Sequence, residues 1–331
     1  MKLQSWNRFK IRALAVEPSL MGGSTSFVYD GLTVTIRIPS LGQVGDQHDE
    51  DVLATCGAWN SKTGEATYFH VHAIDVITVC ASEVDLPDSV LRRRPNAYEF
   101  IDKDTQTTLN AVAGKAATVA SSAFEYWISL LRWVTRFHRI GREVRAGSGS
   151  GWSTYLHEHT TKKPVWIEEM VIVVPGIHTV TSVEWQTTHS HASARDEPPM
   201  HAVLLDDAKH CIDVGDYRRA LVDLSVACEV YLRTAVINAL PPGVLDETVR
   251  VIEEANINQF VAHMFPALLS DSARLDYKRT IKEELSSLFA KRNKLMHVAA
   301  LEGVNRENCE KFRDVLEAMF RLERRSKPDY A

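Results

Sequence analysis

The sequence predicts an α+β protein in which a β-rich N-terminal domain carrying one long helix precedes an all-α helical bundle. Three observations carry this reading. Before residue 100, runs of β-branched and aromatic residues alternate with turn residues; from about 105 to 140 an Ala- and Ser-rich helical pattern takes over; after Pro199 only helical periodicities remain, separated by short breaks. The predicted division is a domain over 1–189, a polar linker over 190–199 ending in Pro198-Pro199, and a bundle over 200–331.

Within the first domain, Ser26 to Tyr29 and Leu32 to Ile38 flank Asp30-Gly31, a two-residue junction suited to a tight hairpin with positive φ. Leu41 to Asp51, with two glycines among polar and acidic residues, reads as a loop. Val52 to Trp59 and Ala66 to Val79 read as a second strand pair. The long helix ends in an aromatic cluster, Phe124, Tyr126, Trp127 and Trp133, and the Gly/Ser run after Gly141 breaks it. A further hairpin is expected from Glu168 to Val174 and His178 to Trp185, around Pro175-Gly176.

In the bundle, helices are expected over Ala202 to Val214, Asp216 to Ala239, Leu245 to Ala255, Ile257 to Leu269, Arg274 to His297 and Arg306 to Arg325. Asp216 and Asn305 are N-cap candidates.

Composition narrows the function classes. The chain of 331 residues has 45% hydrophobic and 24% charged residues, as a soluble globular protein does. No apolar run approaches the roughly 18 residues needed to span a bilayer, and the first ten residues lack the apolar core of a signal peptide, so a cytoplasmic protein with no membrane partner is expected. The five cysteines are odd in number and contain no CxxC pair, which argues against a disulfide framework and a thiolate zinc site. A net charge of −5 and a pI near 6.2 exclude a protein that coats nucleic acid through bulk positive charge. Any nucleic-acid contact must be local.

One helix breaks its own pattern. Tyr277, Ile281, Leu285 and Leu288 form an apolar stripe, and Arg292 falls four residues after Leu288, where another apolar side chain was due. Asn293 and His297, four apart, share a neighbouring edge. The spacing of an arginine and a histidine is loose on its own, since Arg132 with His138 and Arg195 with His201 match it too. The second of those crosses Pro198-Pro199 and cannot be one helix. The competing structural reading has Arg292 and His297 cap or cross-link the bundle through Glu229 or Asp223.

Two segments of this region, LLDDAKHCIDVGDYRRALVDLSVACEVYL and LFAKRNKLMH, resemble the opening helical hairpin and the Arg-polar-x3-His signature of the HEPN superfamily, over roughly residues 200–325. The resemblance implies a HEPN-like bundle and metal-independent RNA cleavage with no cofactor. It makes Arg292 and His297 catalytic and Asn293 their polar support; Glu229 and Asp223, on the second helix of the bundle, are separate candidates for supporting acids. It further implies a homodimer with a composite active site, and a toxin or antiviral defence effector answering to a protein or phage-derived trigger. The alternative within the family is a non-catalytic nucleotide- or partner-binding module. The chemistry is compatible with cleavage: histidine can move protons at neutral pH, and the planar arginine fork suits phosphate oxygens.

Two further patterns invite a role. Arg132, Arg136, Arg139 and Arg142, spaced by four, three and three, fall on one side of the long helix as a candidate RNA-backbone contact; the alternative is a solvated face. The pairs His70/His72, His157/His159 and His189/His191 suggest metal ligation, and His70 and His72 would share one face of a strand. Nothing ties the three pairs together, and no metal site is assigned.

Overall fold

A computed structural model describes residues 3–45, 52–79, 103–142, 156–157, 164–165, 178–299 and 301–322. The chain forms two compact units, one from 1–143 and 176–197, the other from 144–175 and 198–331. An α+β architecture is observed: a curled sheet with its helices in the first unit, and helices in the second.

The first unit is organised by its two longest strands. β1 (Gln4–Val16) and β5 (Ala66–Val79) pair antiparallel along their length, interrupted between Lys10 and Leu14 by a bulge where Ala13 takes φ 54°. On the other edge of β5, β3 (Leu32–Arg37) pairs with its C-terminal half and β4 (Ala54–Trp59) with its N-terminal half. β2 (Ser24–Tyr29) extends the sheet beyond β3. The hairpin is as the dipeptide requires: Tyr29 faces Leu32, and Asp30 and Gly31 have φ of 46° and 74°.

Helix α1 (Lys103–Thr135) lies across the inner sheet face, burying Val119, Ala123, Phe124, Trp127 and Leu131 against Phe27, Val34, Ile36 and Ile74. Phe9 stacks on Phe124 with centroids 4.6 Å apart. The helix stops at Thr135. Arg136 has φ 55°, and Arg132 turns back to donate from Nε to the Ile140 carbonyl at 2.7 Å.

A short ladder joins β6 (Leu156–His157) to β7 (Pro164–Val165). The expected hairpin around Pro175-Gly176 is corrected in part. Residues 168–174 lie outside the described residues, while Thr179–Val180 forms β8, parallel to the end of β1. Ser182 onward is helical. α2 (Ser182–Ala194) starts at a capping box, in which Thr181 accepts from Glu184 N and Glu184 accepts from Thr181 N. Residues 190–194, expected in a linker, therefore belong to a helix whose Trp185 packs edge-on against Trp127 at 5.3 Å.

The second unit opens with an antiparallel hairpin, α3 (Met200–Val214) and α4 (Tyr217–Ile237). Gly215 at φ 81° ends one helix, and Asp216 caps the next by accepting from Arg219 N. Then follow α5 (Asp246–Glu254), α6 (Ile257–Gln259), a π turn (Phe260–Met264), α7 (Phe265–Ala267) and α8 (Asp271–Asp276). A second π turn (Tyr277–Ile281) leads into α9 (Lys282–Val298), and α10 (Arg306–Phe320) follows, capped by Asn305. Leu224, Cys228, Phe260, Phe265, Tyr277, Leu285, Leu288, Phe312 and Leu316 fill the core.

Candidate active site on the ninth helix

The anticipated stripe is real as far as Phe289. Tyr277, Ile281, Leu285 and Leu288 are buried, and the π turn between the first two lets a single apolar face run from α8 into α9, its extra residue absorbed within the turn. Beyond Phe289 the helix overhangs the core. Arg292 is half-buried and donates from Nη1 to Asn293 Oδ1 at 3.1 Å; Asn293 and His297 are exposed. Leu295 still packs on the core, but Met296, Val298 and Leu301 are 56%, 71% and 48% exposed.

The acids of α9 gather at its start, beside Lys282. Glu283 and Glu284 occupy the first turn and His297 the last, which suits the helix dipole. Lys311 pairs with Glu284 at 2.6 Å. At the other end, Lys291, Arg292, Lys294 and His297 have no ion-pair partner among the described residues. Gly303, at φ 70°, brings the loop before α10 under Lys291; a Cβ there would run into the Lys291 ammonium.

The helix is regular through Val298 and ends on Ala299 at φ 50°, whose N–H bonds to the Lys294 carbonyl. No frayed end therefore swings His297 toward Arg292. Five residues of regular helix turn the two side chains about 140° apart, so one copy of α9 presents them on different faces.

The acids expected to support them are engaged elsewhere. Glu229 accepts from Arg233 Nε and Nη2 at 3.0 and 2.8 Å. That guanidinium also donates to the carbonyls of Ile252, Glu253 and Ala255 and lies 4.8 Å from the Phe260 ring centre, tying the end of α5 to α4. Asp223 pairs with Arg219 at 3.5 Å and takes a weak contact from the Cys211 thiol; burial pushes its carboxyl above the ordinary range. Neither acid reaches Arg292 or His297, so the proposed cross-links are replaced by two pairs along α4. Both pairs are four residues apart, a spacing that was there to be read.

The arginine stripe is also corrected. Only Arg132 lies in α1, and it is spent on the Ile140 carbonyl; Arg136, Arg139 and Arg142 follow in the turn after the helix has ended, so the four share no helical side.

Each histidine pair resolves differently. His72 Nε2 lies 3.0 Å from Thr55 Oγ1, and burial lowers the pKa of both His70 and His72, so they favour the neutral form. His159 lies outside the described residues. His189 and His191 sit on α2, where two residues of helix separate their directions by about 200°. His189 Nδ1 is 2.5 Å from Thr25 Oγ1, and His191 Nδ1 is 2.9 Å from Asp196 Oδ2. Among the described residues no group of three or more His, Cys, Asp or Glu is placed to hold a metal ion.

A surface groove of about 680 Å³ runs between the second π turn and α10, beside Thr280, Ile281, Arg306, Glu310 and Lys311. Its cations are already paired, Arg306 with Glu310 at 2.9 Å and Lys311 with Glu284, and Arg292, Asn293 and His297 do not line it. Among the described residues no helix is long and apolar enough to cross a membrane. Compared with family models, with curated proteins and with solved structures, the chain matches none.

Strand β1 and the surface it builds escaped the sequence reading. The signal was the alternation Trp6, Arg8, Lys10, large and polar by turns with Ser5, Asn7 and Phe9.

Proposed function

We propose that the protein is a metal-independent endoribonuclease of HEPN type, acting as a homodimer in the cytoplasm. The supporting observation is the end of α9, where a buried stripe passes into a half-buried Arg292 hydrogen-bonded to Asn293. Beside them stand Lys291, Lys294 and His297, none of them paired to a carboxylate among the described residues. An overhanging cationic helix end with exposed Met296, Val298 and Leu301 suits both a phosphate and a second protomer.

In this mechanism the 2′-hydroxyl loses its proton as its oxygen attacks the adjacent phosphorus, and the 5′-oxygen takes up a proton as its bond to phosphorus breaks. The products are a 2′,3′-cyclic phosphate and a 5′-hydroxyl. His297 serves one of the proton transfers, a contribution of about 10²–10⁴-fold for a well-placed group. Arg292 stabilises the charge building on the phosphoryl oxygens, and Asn293 holds the arginine fork. Because the two side chains diverge within one helix, a site is completed by Arg292 of one protomer and His297 of its partner. A toxin or antiviral effector role suits such an enzyme, with a protein or phage-derived trigger releasing it.

The divergence also favours a second reading, a non-catalytic bundle that uses the cationic end to hold a nucleotide or partner. Incubation with total RNA followed by end-group analysis separates the two. Cyclic-phosphate ends produced in chelator and lost in both Arg292→Ala and His297→Ala support cleavage. Intact RNA leaves the binding reading.

A further inference from the structure

The outer face of the N-terminal sheet, opposite α1, carries an exposed aromatic ring among cations. On β1 the outward residues are Gln4, Trp6, Arg8 and Lys10, all exposed, with Trp6 at 55%. Cross-strand register sets their neighbours. Trp6 faces Ile77, which faces Thr35, which faces Ser26; Arg8 faces Asp75, which faces Arg37, which faces Ser24. The row beyond ends in the exposed Val28 and Thr33. The result is a shallow surface of small polar and apolar side chains around one large indole.

Its charge runs against that of the chain as a whole. Arg8, Lys10 and Arg37 stand on these rows with one carboxylate, Asp75, which holds Arg8 by bonds of 2.8 and 3.3 Å. Lys10 has no ion-pair partner among the described residues. The Arg37 guanidinium sits 5.9 Å from the Trp6 ring centre, close enough to steady the indole while the ring stays exposed. In a protein of net charge −5, this is local positive charge placed beside a stacking surface.

We infer that this face binds single-stranded nucleic acid, with a base stacked on Trp6 and the flanking phosphates on Lys10 and Arg37. Two features select this partner. An exposed indole on the outer face of a sheet offers its ring to any unpaired base, which a duplex does not present, and the cations within reach answer a phosphodiester backbone. Serine and threonine along the same rows add hydroxyl donors without blocking access. The surface lies wholly within the first unit and stands whether or not α9 cuts RNA. If α9 does, the sheet gives the enzyme a second grip on its substrate.

The test is a fluorescence anisotropy titration of full-length protein carrying His297→Ala, so that no strand is cut, against labelled oligouridine RNA, an oligothymidine DNA and a duplex. The expected result is preference for single strands over duplex, with RNA against DNA showing whether the 2′-hydroxyl is read. Trp6→Ala weakens binding about tenfold, within the range for one stacked base, and Trp6→Phe retains most of it. Lys10→Glu weakens binding and flattens the salt dependence, by about 0.7 in log–log slope for each phosphate that is no longer neutralised. Thermal unfolding of each variant confirms folding, which these exposed positions spare. Unchanged affinity in both Trp6→Ala and Lys10→Glu, or tighter binding to duplex, overturns the inference. Cleavage by the otherwise unaltered protein is scored separately. Binding that depends on Trp6 and Lys10, with no cleavage anywhere, keeps this surface and removes the ribonuclease; cleavage with no such dependence does the opposite.

Discussion

Tyr277 donates its hydroxyl to the Val261 carbonyl at 2.9 Å, joining the two π turns of the bundle through the core. The reason lies five residues after Val261. In a π turn that carbonyl would accept from residue 266, which is Pro266 and has no N–H. The tyrosine supplies the missing donor. Tyr277→Phe leaves a buried carbonyl without a partner and is expected to cost about 1–3 kcal/mol in denaturant unfolding. Adding Pro266→Ala to that variant restores an amide there and should recover part of the loss; a Tyr277→Phe protein as stable as the parent would remove this account.

A shared site makes a sharp forecast for mixtures. Arg292→Ala and His297→Ala proteins are each expected to be inactive, yet heterodimers formed by refolding them together contain one site with both residues intact. With random pairing, about a quarter of the unmutated activity should return, since half the dimers are mixed and each has one of two sites. No recovery would place both residues of a site in one chain.

Cleavage should proceed undiminished in excess chelator, because the proposed chemistry asks nothing of a metal. Activity abolished by chelator, restored by a divalent ion and unaffected by His297→Ala would point to a metal-dependent hydrolase elsewhere in the chain.

His70 and His72 set a direction for stability against pH. Burial lowers both pKa values below the ordinary 6.5, with His72 adding to the effect on His70. The folded state thus binds fewer protons than the unfolded state, and stability should be full above about 6.5 and fall as pH drops below it. A His70→Gln, His72→Gln double variant should show a flatter melting temperature between pH 7 and 5; an unchanged slope would assign the dependence to other groups.

Elements were legible in the sequence where a local rule decides them. Asp30-Gly31 announced its hairpin because both residues tolerate positive φ, and Asp216 and Asn305 announced helix starts because their side chains cap the following turn. Strand β1 was hidden because its inward face begins with Ser5 and Asn7 and its alternation slips at Ala13. Helix α2 buries Trp185, Thr188 and Ala192, a face too polar to show a period, although Thr181 and Glu184 spelled its capping box. At the candidate site, the misplaced charge of Arg292 was readable from the stripe. What escaped was that Glu229 and Asp223 would be claimed by arginines four residues away on their own helix.

The first unit closes with residues that follow a long interruption. β8 lies beside the end of β1, Glu17 takes both the amide and the hydroxyl of Ser182, and Trp185 meets Trp127. A ribosome delivers Glu17 and Trp127 well before Ser182 and Trp185, so at roughly 5–20 residues per second the nascent sheet and its long helix must wait several seconds for their final pieces. Through that interval the indole of Trp127 lacks its cover, and the emerging chain has a window in which a chaperone or an early pause in translation would govern yield. Fragment boundaries follow the same logic: a cut at 190 would carry away the end of α2 that the first unit needs, and a bundle begun after Glu197 would leave residues 144–175 of its own unit behind.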